Sequence, residues 1–491
     1  MPARTARWAK PGNVDQWTAI AIAAALSVWQ IAYANPPCTS PLPVTSEIAS
    51  SMTSRVESHL PRLNTATVLA DAVLEQETFA ASLFDALREG TAKGRGICRD
   101  AYGEGENFAH RLLAKTARDL GFLVDHDAAA NTYVTMAGHD RRRPRVIIGS
   151  HLDSVWNGGN FDGAAGVVAG LIAIKALKES GFQPRCDITV MGIRAEESIW
   201  FSTTFFGSSA ALGKVRPEIW EKKTRVDTGK TLAEHLRACG GDPDRLRSGE
   251  PYLNQAQIAA FLEVHIEQGP VLEAEKLPVG IVTGIRGNWR LPAARIIGKY
   301  DHCGGVPRAY RHDSVVAGAD FIHALDELWR EWDAAGKDMA FTAGKFYTDP
   351  QQHALTKISG EVSFSLDVRS LDAQSLAQLE ERIHAIANAI AARRRVQFEL
   401  GAATRAPVAA VAPAIRASFE AGAAQLGIPA RLIGSGASHD AAAFAQAGIP
   451  MGMLFVRNAH GSHNPLEHME IADLLAATRL LTWWLATHCA E

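Results

Sequence analysis

Four segments of the chain combine histidines, aspartates and glutamates in arrangements that suit metal-dependent hydrolysis. They are GSHLDSVWNGGNFDG from residue 149, RAEES from residue 194, EVHIEQG from residue 263 and RNAHGSHNPLEH from residue 457. Imidazole nitrogens and carboxylate oxygens are common zinc ligands, and a carboxylate beside them can take a proton from water. These residue types predict a hydrolytic site in which a metal ion activates water.

The first segment predicts a strand that ends at Ser150, a glycine-rich loop, and Asp162 at the start of the next helix. A loop at the carboxyl end of a parallel strand is where open α/β sheets bind ligands. We expect His151 to bind a metal and the two oxygens of Asp162 to bridge two ions. Asp153 can accept the proton on the other ring nitrogen of His151. An ordinary turn, with an aspartate capping the helix, is the alternative for this segment alone.

Adjacent carboxylates, Glu196 and Glu197, follow an apolar strand in the second segment. Two neighbouring buried carboxylates raise each other's pKa unless a cation compensates them. Their side chains diverge, so one can bind metal while the other accepts a proton from water. Taken alone, such a pair is more often a solvated loop.

The remaining two segments contribute histidines. His265 lies at the end of an apolar strand between Glu263 and Glu267, and His460 and His463 follow the strand GMLFV. A single histidine is usually not a ligand. All four segments, however, directly follow short buried strands, whose carboxyl ends meet at one edge of a parallel sheet. We therefore predict one shared site.

The elements that position these residues alternate between strands and helices. Apolar spacings of three and four predict helices over 66–125. Short apolar runs at 145–150, 186–193 and 258–266 predict buried strands. This alternation predicts an α/β fold with a mainly parallel sheet flanked by helices.

The sequence texture divides the chain into three predicted regions. The catalytic metal-binding domain is discontinuous, covering 60–281 and 404–491, and an α+β domain is inserted at 282–403. Residues 1–59 form an N-terminal extension.

Part of this extension, residues 1–34, has the form of an export signal. Arg4, Arg7 and Lys10 precede the apolar run TAIAIAAALSVWQIAYA, which ends in a small-x-small triplet. Alternatively, Met52 is the true start of the protein. We expect a cytoplasmic protein, with export or membrane tethering as the alternative. No other stretch is apolar for the 18 or more residues that a membrane helix needs.

Composition narrows the class of partner. With 47% hydrophobic and 21% charged residues, the chain is typical of globular proteins. Its 50 basic and 53 acidic residues give a net charge of -3. This charge provides no overall electrostatic attraction for nucleic acid or an anionic membrane. The six cysteines show no short-spaced pair that would indicate a thiolate metal site. We expect a small-molecule partner.

The four segments, together with SGASHDAAAF from residue 435, resemble the zinc-dependent amidases of the M20 peptidase superfamily. The resemblance covers about residues 60 to 488. More narrowly it is to the hydantoinase/carbamoylase branch, which includes N-carbamoyl-L-amino acid hydrolases, β-ureidopropionases and allantoate amidohydrolases. The HIEQG form favours this branch, because many peptidases of the superfamily have a carboxylate in place of the histidine.

This resemblance implies a binuclear metal site. One ion is held by His151 and His265, the other by Glu197 and His463, and Asp162 bridges them. The resemblance makes Glu196 the general base. The expected cofactors are two divalent ions per subunit, zinc first, with manganese or cobalt as alternatives. The inserted domain is expected to serve as a lid or dimerisation domain in a homodimer.

The resemblance also implies a substrate pocket. His302 in DHCGGVP matches a lid histidine that contacts substrate and helps to stabilise the oxyanion. Arg369 in SLDVRS matches an arginine that clamps the substrate carboxylate, and Gln268 is a further expected substrate contact. Two departures concern substrate choice: Thr356 replaces the usual asparagine, and the lid reads HCGGVPR where HAGTTPM is usual.

The expected reaction is hydrolysis of a linear carbon–nitrogen bond in an N-carbamoyl-amino acid or a related ureido acid. An aminoacylase or dipeptidase acting on ordinary amides is the first alternative. A metal- or ligand-binding homologue without activity is the remote one.

Overall fold

The architecture rests on a nine-stranded sheet, seen in a computed structural model that describes residues 65–490. The predicted extension, including the export-signal segment, lies outside the described residues. The strands are β1 Ala92–Lys93, β2 Gly96–Ile97, β3 Leu123–His126, β4 Thr132–Met136, β5 Arg145–His151, β6 Ile188–Ile193, β7 Ile258–Ile266, β8 Val279–Ile285, β9 Gly287–Ile297, β10 Asp301–His302, β11 Ala340–Tyr347, β12 Lys357–Ile358, β13 Glu361–Ser370, β14 Gln397–Glu399, β15 Thr404–Ala406, β16 Ala409–Ala410, β17 Ala430–Ser435 and β18 Met451–Val456.

Helices cover both faces of this sheet and one face of a second, smaller sheet. They are α1 Glu77–Thr91, α2 Glu104–Asp119, α3 Ala164–Glu179, α4 Ser198–Phe201, α5 Phe206–Ala211, α6 Pro217–Lys222, α7 Leu232–Ala238, α8 Pro243–Arg247, α9 Val271–Glu275, α10 Ser314–Ala334, α11 Ala373–Arg394, α12 Pro413–Leu426, α13 Ala441–Gln446 and α14 Ile471–His488. Short 3-10 turns occur at Ala72–Gln76, Gln255–Gln257, Arg308–Tyr310 and Pro350–Gln352. In the described part of the chain, no helix is long and apolar enough to cross a bilayer.

The order of strands in the large sheet is β16, β8, β18, β7, β5, β6, β4, β3, and β17 also pairs with β8. The central strands β18, β7, β5 and β6 are parallel to one another. Successive residues of β5 face opposite cores, since Val146 packs on one side of the sheet and Ile147 on the other. The predicted α/β fold with a large sheet flanked by helices is confirmed. The sheet is mixed rather than mainly parallel, because antiparallel strands pair at both ends of its parallel centre.

The smaller sheet, formed by β9, β11, β13, β14 and β15, has a hydrophobic core of its own. Buried and half-buried residues alternate along β13, as its period-two sequence predicts. Phe321 of α10 and Ile383 of α11 are fully buried against this sheet. The predicted boundaries of an inserted domain, and its role as a lid or dimerisation element, stay predictions.

Helix α3 lies directly on the strands that carry the predicted site. Buried residues occur on all sides of α3, because this helix packs between the large sheet and α14. Gly166 in its first turn makes the close approach possible, since a Cβ there would overlap the carbonyl oxygen of Val264, the residue before His265.

We therefore expect Gly166→Ala to destabilise the protein by about 1–3 kcal/mol, as overpacking of a tight contact does. Alanine favours helices over glycine, so an observed loss would reflect the contact with β7. Gly344→Ala is the matched control, because the nearest atom to a Cβ there is Ser365 Oγ at 3.6 Å. Urea unfolding measures both variants, and equal stability of the two would contradict this packing account.

Candidate metal centre and substrate cleft

The predicted ligands meet at one edge of the large sheet. His151 is the last residue of β5 and His265 the second-last of β7. Glu197 follows β6, and His463 follows β18. Because these four strands are parallel neighbours, their carboxyl ends bring the four side chains together. Asp162 joins them from the loop before α3.

The first ligand group contains two imidazoles and one carboxylate oxygen. The Nε2 atoms of His151 and His265 lie 3.4 and 3.2 Å from Asp162 Oδ1, and 3.4 Å from each other. All three residues are buried. Among the described residues, Asp162 Oδ1 has no hydrogen-bond partner. A buried acceptor facing two ring nitrogens fits a metal ion, which would satisfy all three atoms at once.

The second group uses the other oxygen of the same aspartate. His463 Nε2 lies 3.3 Å from Asp162 Oδ2 and 3.3 Å from Glu197 Oε1. The side chain of His463 is 51% exposed, so this group faces the solvent-accessible cleft. The two oxygens of Asp162 therefore face two separate groups of possible ligands.

Hydrogen bonds to Nδ1 orient the two buried histidines. His265 Nδ1 lies 2.9 Å from the carbonyl oxygen of Ile266. His151 Nδ1 lies 3.1 Å from the carbonyl oxygen of Asp153 and 3.5 Å from its carboxylate. With the proton on Nδ1, each ring presents the lone pair of Nε2 to the cluster. The predicted contact with the Asp153 carboxylate is thus longer than the contact with its backbone.

The Asp153 carboxylate has a further role that the sequence does not reveal. Its two oxygens accept the backbone N–H groups of Glu196 and Glu197, both at 3.0 Å. One aspartate thereby aligns His151 and the glutamate pair.

Two other buried residues that sequence reasoning missed hold the loop that carries Asp162. Glu467 Oε1 accepts the backbone N–H groups of Phe161 and Asp162 at 2.9 and 3.1 Å. Arg99, which is fully buried, donates to the carbonyl oxygens of Leu152 and Asp162 at 2.7 and 3.0 Å. Glu467 lies four residues after His463 in the HNPLEH segment, which could have drawn attention to it. Arg99 stands outside every motif.

Burial and mutual repulsion perturb the acidic groups of the cluster. Burial, and then the charge of Asp162, raises the pKa of Glu197 to about 7. Burial raises the pKa of Glu196 well above its usual value. The hydrogen bond with Asp162 raises the pKa of His463 to about 9. These groups hold more negative charge than the surrounding residues balance, which is the condition that a bound cation relieves.

A cleft of about 320 Å³ opens onto this cluster. The smaller sheet and the helices packed on it form the α+β part of the chain. This part contributes Asn288 and Arg290 of β9 and Arg369 of β13 to the lining of the cleft. Gln268 also lines it and donates to Asp162 Oδ2 at 2.9 Å. The structure thus brings the predicted residues Arg369 and Gln268 to the metal cluster.

Arg369 shares a carboxylate with a second arginine, Arg290, which the sequence analysis did not identify. Arg369 Nε and Nη2 donate to the Asp367 carboxylate at 3.1 and 3.0 Å, and Arg290 Nε donates to it at 2.8 Å. Arg369 Nη1 donates to the Gly436 carbonyl oxygen at 2.6 Å. Two guanidinium groups share one carboxylate, which leaves a surplus positive charge in the cleft for an anionic group.

Two predicted substrate contacts lie elsewhere. His302 and Thr356 are exposed and lie outside the lining of the cleft. They lie on neighbouring backbone segments, where Cys303 N donates to the Thr356 carbonyl oxygen at 2.9 Å. His302 Nδ1 accepts N–H groups of Gly304 and Gly305. The structure does not bring these two residues to the site within one chain.

Parallel strands that bring histidines and carboxylates together at their carboxyl ends form an arrangement that suits metal-dependent hydrolysis. Residues 147–486 match peptidase family M20/M25/M40. The chain belongs to this family.

Similar proteins with assigned names indicate the branch of this family to which the chain belongs. The N-carbamoyl-L-amino-acid amidohydrolase of Pseudomonas sp. (strain NS671) is 32% identical over 80% of this chain and 93% of its own length. The allantoate amidohydrolase of Bacillus subtilis is 30% identical over 61% of this chain and 70% of its own. A hydantoinase/carbamoylase family amidase from Burkholderia multivorans is similar in structure, with a TM-score of 0.75 and 28% identity over 84% of this chain and 98% of that chain. The prediction of a hydrolase from the hydantoinase/carbamoylase branch is confirmed.

The raised pKa values predict how the metal-free protein responds to pH. Burial raises the pKa of Asp440 to about 8 and, with the charge of Asp162, that of Glu197 to about 7. The folded protein therefore keeps protons that the unfolded chain loses near pH 4. The resulting stabilisation is present at low pH and is lost as the pH rises through 7 to 8. We expect chelator-treated protein to melt at least about 2 °C lower at pH 8 than at pH 6.

Differential scanning fluorimetry checks this, with metal-loaded protein as the control. A bound cation should make the loaded protein less sensitive to pH, because it stabilises the ionised carboxylates. The same pH dependence in both samples would contradict the assignment of Glu197 to a metal group.

Proposed function

We propose that this chain hydrolyses the carbamoyl carbon–nitrogen bond of an N-carbamoyl-amino acid or a related ureido acid, with two divalent ions, zinc foremost. The observation that carries the proposal is the Asp162 carboxylate, whose two oxygens face two separate ligand groups at 3.2 to 3.4 Å. Support for the substrate class comes from the relatives, since the Pseudomonas protein is named an N-carbamoyl-L-amino-acid amidohydrolase.

Within this proposal, His151, His265 and Asp162 Oδ1 would hold one ion, and Glu197, His463 and Asp162 Oδ2 would hold the other. When bound, the ions lower the pKa of water and polarise the carbonyl oxygen of the substrate. The chain's own residues supply the proton transfers and hold the substrate.

Glu196 acts as the general base. Its carboxylate lines the cleft beside the ligands, and the Asp153 carboxylate fixes its backbone N–H at 3.0 Å. Burial raises the pKa of Glu196, which makes it a stronger proton acceptor once ionised. After taking a proton from the attacking water, it can return that proton to the departing nitrogen. With a carbamoyl substrate the products are an amino acid, ammonia and carbon dioxide.

The arginines of the cleft would hold the substrate carboxylate. Arg369 and Arg290 come from the smaller sheet and line the cleft together with the predicted metal ligands. Planar, forked donors suit a carboxylate. A substrate with a carboxylate at one end and a carbamoyl group at the other would span the cleft between arginines and metals.

His302 and Thr356 enter this proposal only through a change of arrangement. They lie outside the cleft of a single chain, so contact with substrate requires either movement of the α+β part or a second copy of the chain. The predicted homodimer would provide the second route.

Replacing Glu196 tests its role as base. We expect Glu196→Gln to lower kcat by about 100-fold or more, because the amide cannot accept the proton, while elemental analysis still finds two ions per chain. Glu197→Gln is the matched contrast, since loss of a ligand should lower metal content as well as activity. Full activity of the Glu196→Gln enzyme would contradict the assignment.

Replacing Arg369 tests the carboxylate clamp. We expect Arg369→Ala to raise KM for carboxylate substrates about tenfold or more, because charge-assisted hydrogen bonds are lost. Arg295→Ala is the control, since Arg295 pairs with Glu399 on the same sheet but outside the cleft. Steady-state kinetics measures both. An unchanged KM in the Arg369 variant would exclude it as the clamp.

Substrate identity is tested by ammonia release with zinc, manganese and cobalt. The panel contains N-carbamoyl-amino acids, N-carbamoyl-β-alanine and allantoate, with N-acetyl-amino acids and dipeptides for comparison. Ammonia release from a ureido compound supports the proposal. Cleavage of acyl or peptidyl compounds alone would instead establish an aminoacylase or dipeptidase.

A further inference from the structure

A second cavity, of about 700 Å³, lies against helix α2, and the residues lining it do not overlap those of the metal cleft. Its size is within the range of small-molecule sites. Arg111, Lys115 and Arg118 line it from one face of α2, where they follow each other at spacings of four and three. Of the described residues, those lining this cavity include no aspartate or glutamate.

The charge of the rim is only partly compensated. Lys115 pairs with Asp119 at 2.6 Å. Neither Arg111 nor Arg118 forms an ion pair with any residue of the described 65–490 range. The guanidinium groups of Arg111 and Arg118 therefore line the same cavity without a protein carboxylate to balance their charge.

A buried arginine forms part of the lining. Arg194 is 4% exposed. Its Nε donates to the Ala130 carbonyl oxygen and its Nη1 to Glu106, each at 2.7 Å. Within the described part of the chain Nη2 has no hydrogen-bond partner. A buried guanidinium with a free N–H edge on a cavity is a donor for an anionic ligand.

His110 adds an orphaned ring nitrogen. It is 3% exposed and lines the cavity, and its Nε2 atom has no hydrogen-bond partner among the described residues. Thr132 Oγ1 lies 2.8 Å from His110 Nδ1 and 3.3 Å from His126 Nδ1. If the hydroxyl donates to His110, the proton of His110 is on Nε2. That N–H would then be unpaired and buried in the wall of the cavity.

We propose that this cavity binds a small organic polyanion carrying phosphate or carboxylate groups, at a site separate from the metal centre. Arg111 and Arg118 supply the charge at the rim, and Arg194 supplies a donor from the buried wall. A buried N–H that has no partner in the protein gains one when such a ligand enters.

The cavity is connected to the catalytic segment through one carboxylate. Glu106 accepts the N–H groups of Ala195 and Tyr102 as well as Arg194 Nη1. Ala195 has a φ of 53°, in the left-handed region, and directly precedes Glu196. A ligand bound to Arg194 would therefore contact a side chain that donates to Glu106, the residue that fixes the backbone next to the predicted base.

The test uses metal-loaded enzyme and two probes, ADP for phosphate and tricarballylate for carboxylate, in isothermal titration calorimetry. We expect Arg111→Gln with Arg118→Gln to weaken binding of the bound probe about tenfold or more. Arg88→Gln with Arg216→Gln removes the same charge from exposed sites elsewhere and should leave affinity unchanged. Binding of one probe alone identifies the ligand group.

Alkylation of Cys239 locates the ligand independently, because this half-buried thiol lines the cavity. The bound probe should slow its reaction with iodoacetamide, followed by mass spectrometry, and should leave Cys303 outside the cavity unaffected. The proposal is overturned if neither probe binds, if the two double variants bind equally, or if Cys239 stays unprotected.

Discussion

The structure depends on one electrostatic constraint, the concentration of buried carboxylates at a single edge of the central sheet. Those in and next to the cluster are Asp153, Asp162, Glu196, Glu197, Glu263, Asp440 and Glu467. Uncompensated buried charges of one sign are costly, and they persist only where donors or cations balance them. Asp153, Glu263 and Glu467 accept backbone N–H groups. Asp162 Oδ1 has no hydrogen-bond partner among the described residues, and it is the atom that two histidines face.

The packing of the fold determines where the predicted ligand atoms lie. Parallel strands bring their carboxyl ends to one edge, and the close contact of Gly166 with β7 sets helix α3, which follows Asp162, against the strand of His265. Arg99 and Glu467 both form hydrogen bonds with the backbone of Asp162 and so hold the intervening loop. The ligand atoms are thereby fixed before any ion binds, which reduces the ordering that binding would require.

Sequence patterns could predict the ligands because each one directly follows an apolar strand, and strand ends converge in an α/β sheet. They could not predict the order of strands, which depends on pairing between residues far apart in the chain. The hairpin of β3 and β4 was not predicted, although β4 is fully buried, because its short run TYVTM mixes polar and apolar residues.

The residues that line the substrate cleft were harder to predict from the sequence than the metal ligands. Arg290 faces the cleft because β9 pairs with β13 in a register that sets it opposite Asp367, and no local motif records that register. His302 and Thr356 match family motifs, yet their positions depend on how the α+β part is arranged. The cavity beside α2 depends on the packing of α2 against β3 and β4, with Arg194 arriving from the end of β6.

The most direct measurement of the central claim is anomalous X-ray diffraction at the zinc edge from crystals of the zinc-loaded protein. The account predicts two anomalous peaks, one among His151, His265 and Asp162 Oδ1, the other among Glu197, His463 and Asp162 Oδ2. Peaks elsewhere, or no peak beside Asp162, would contradict it.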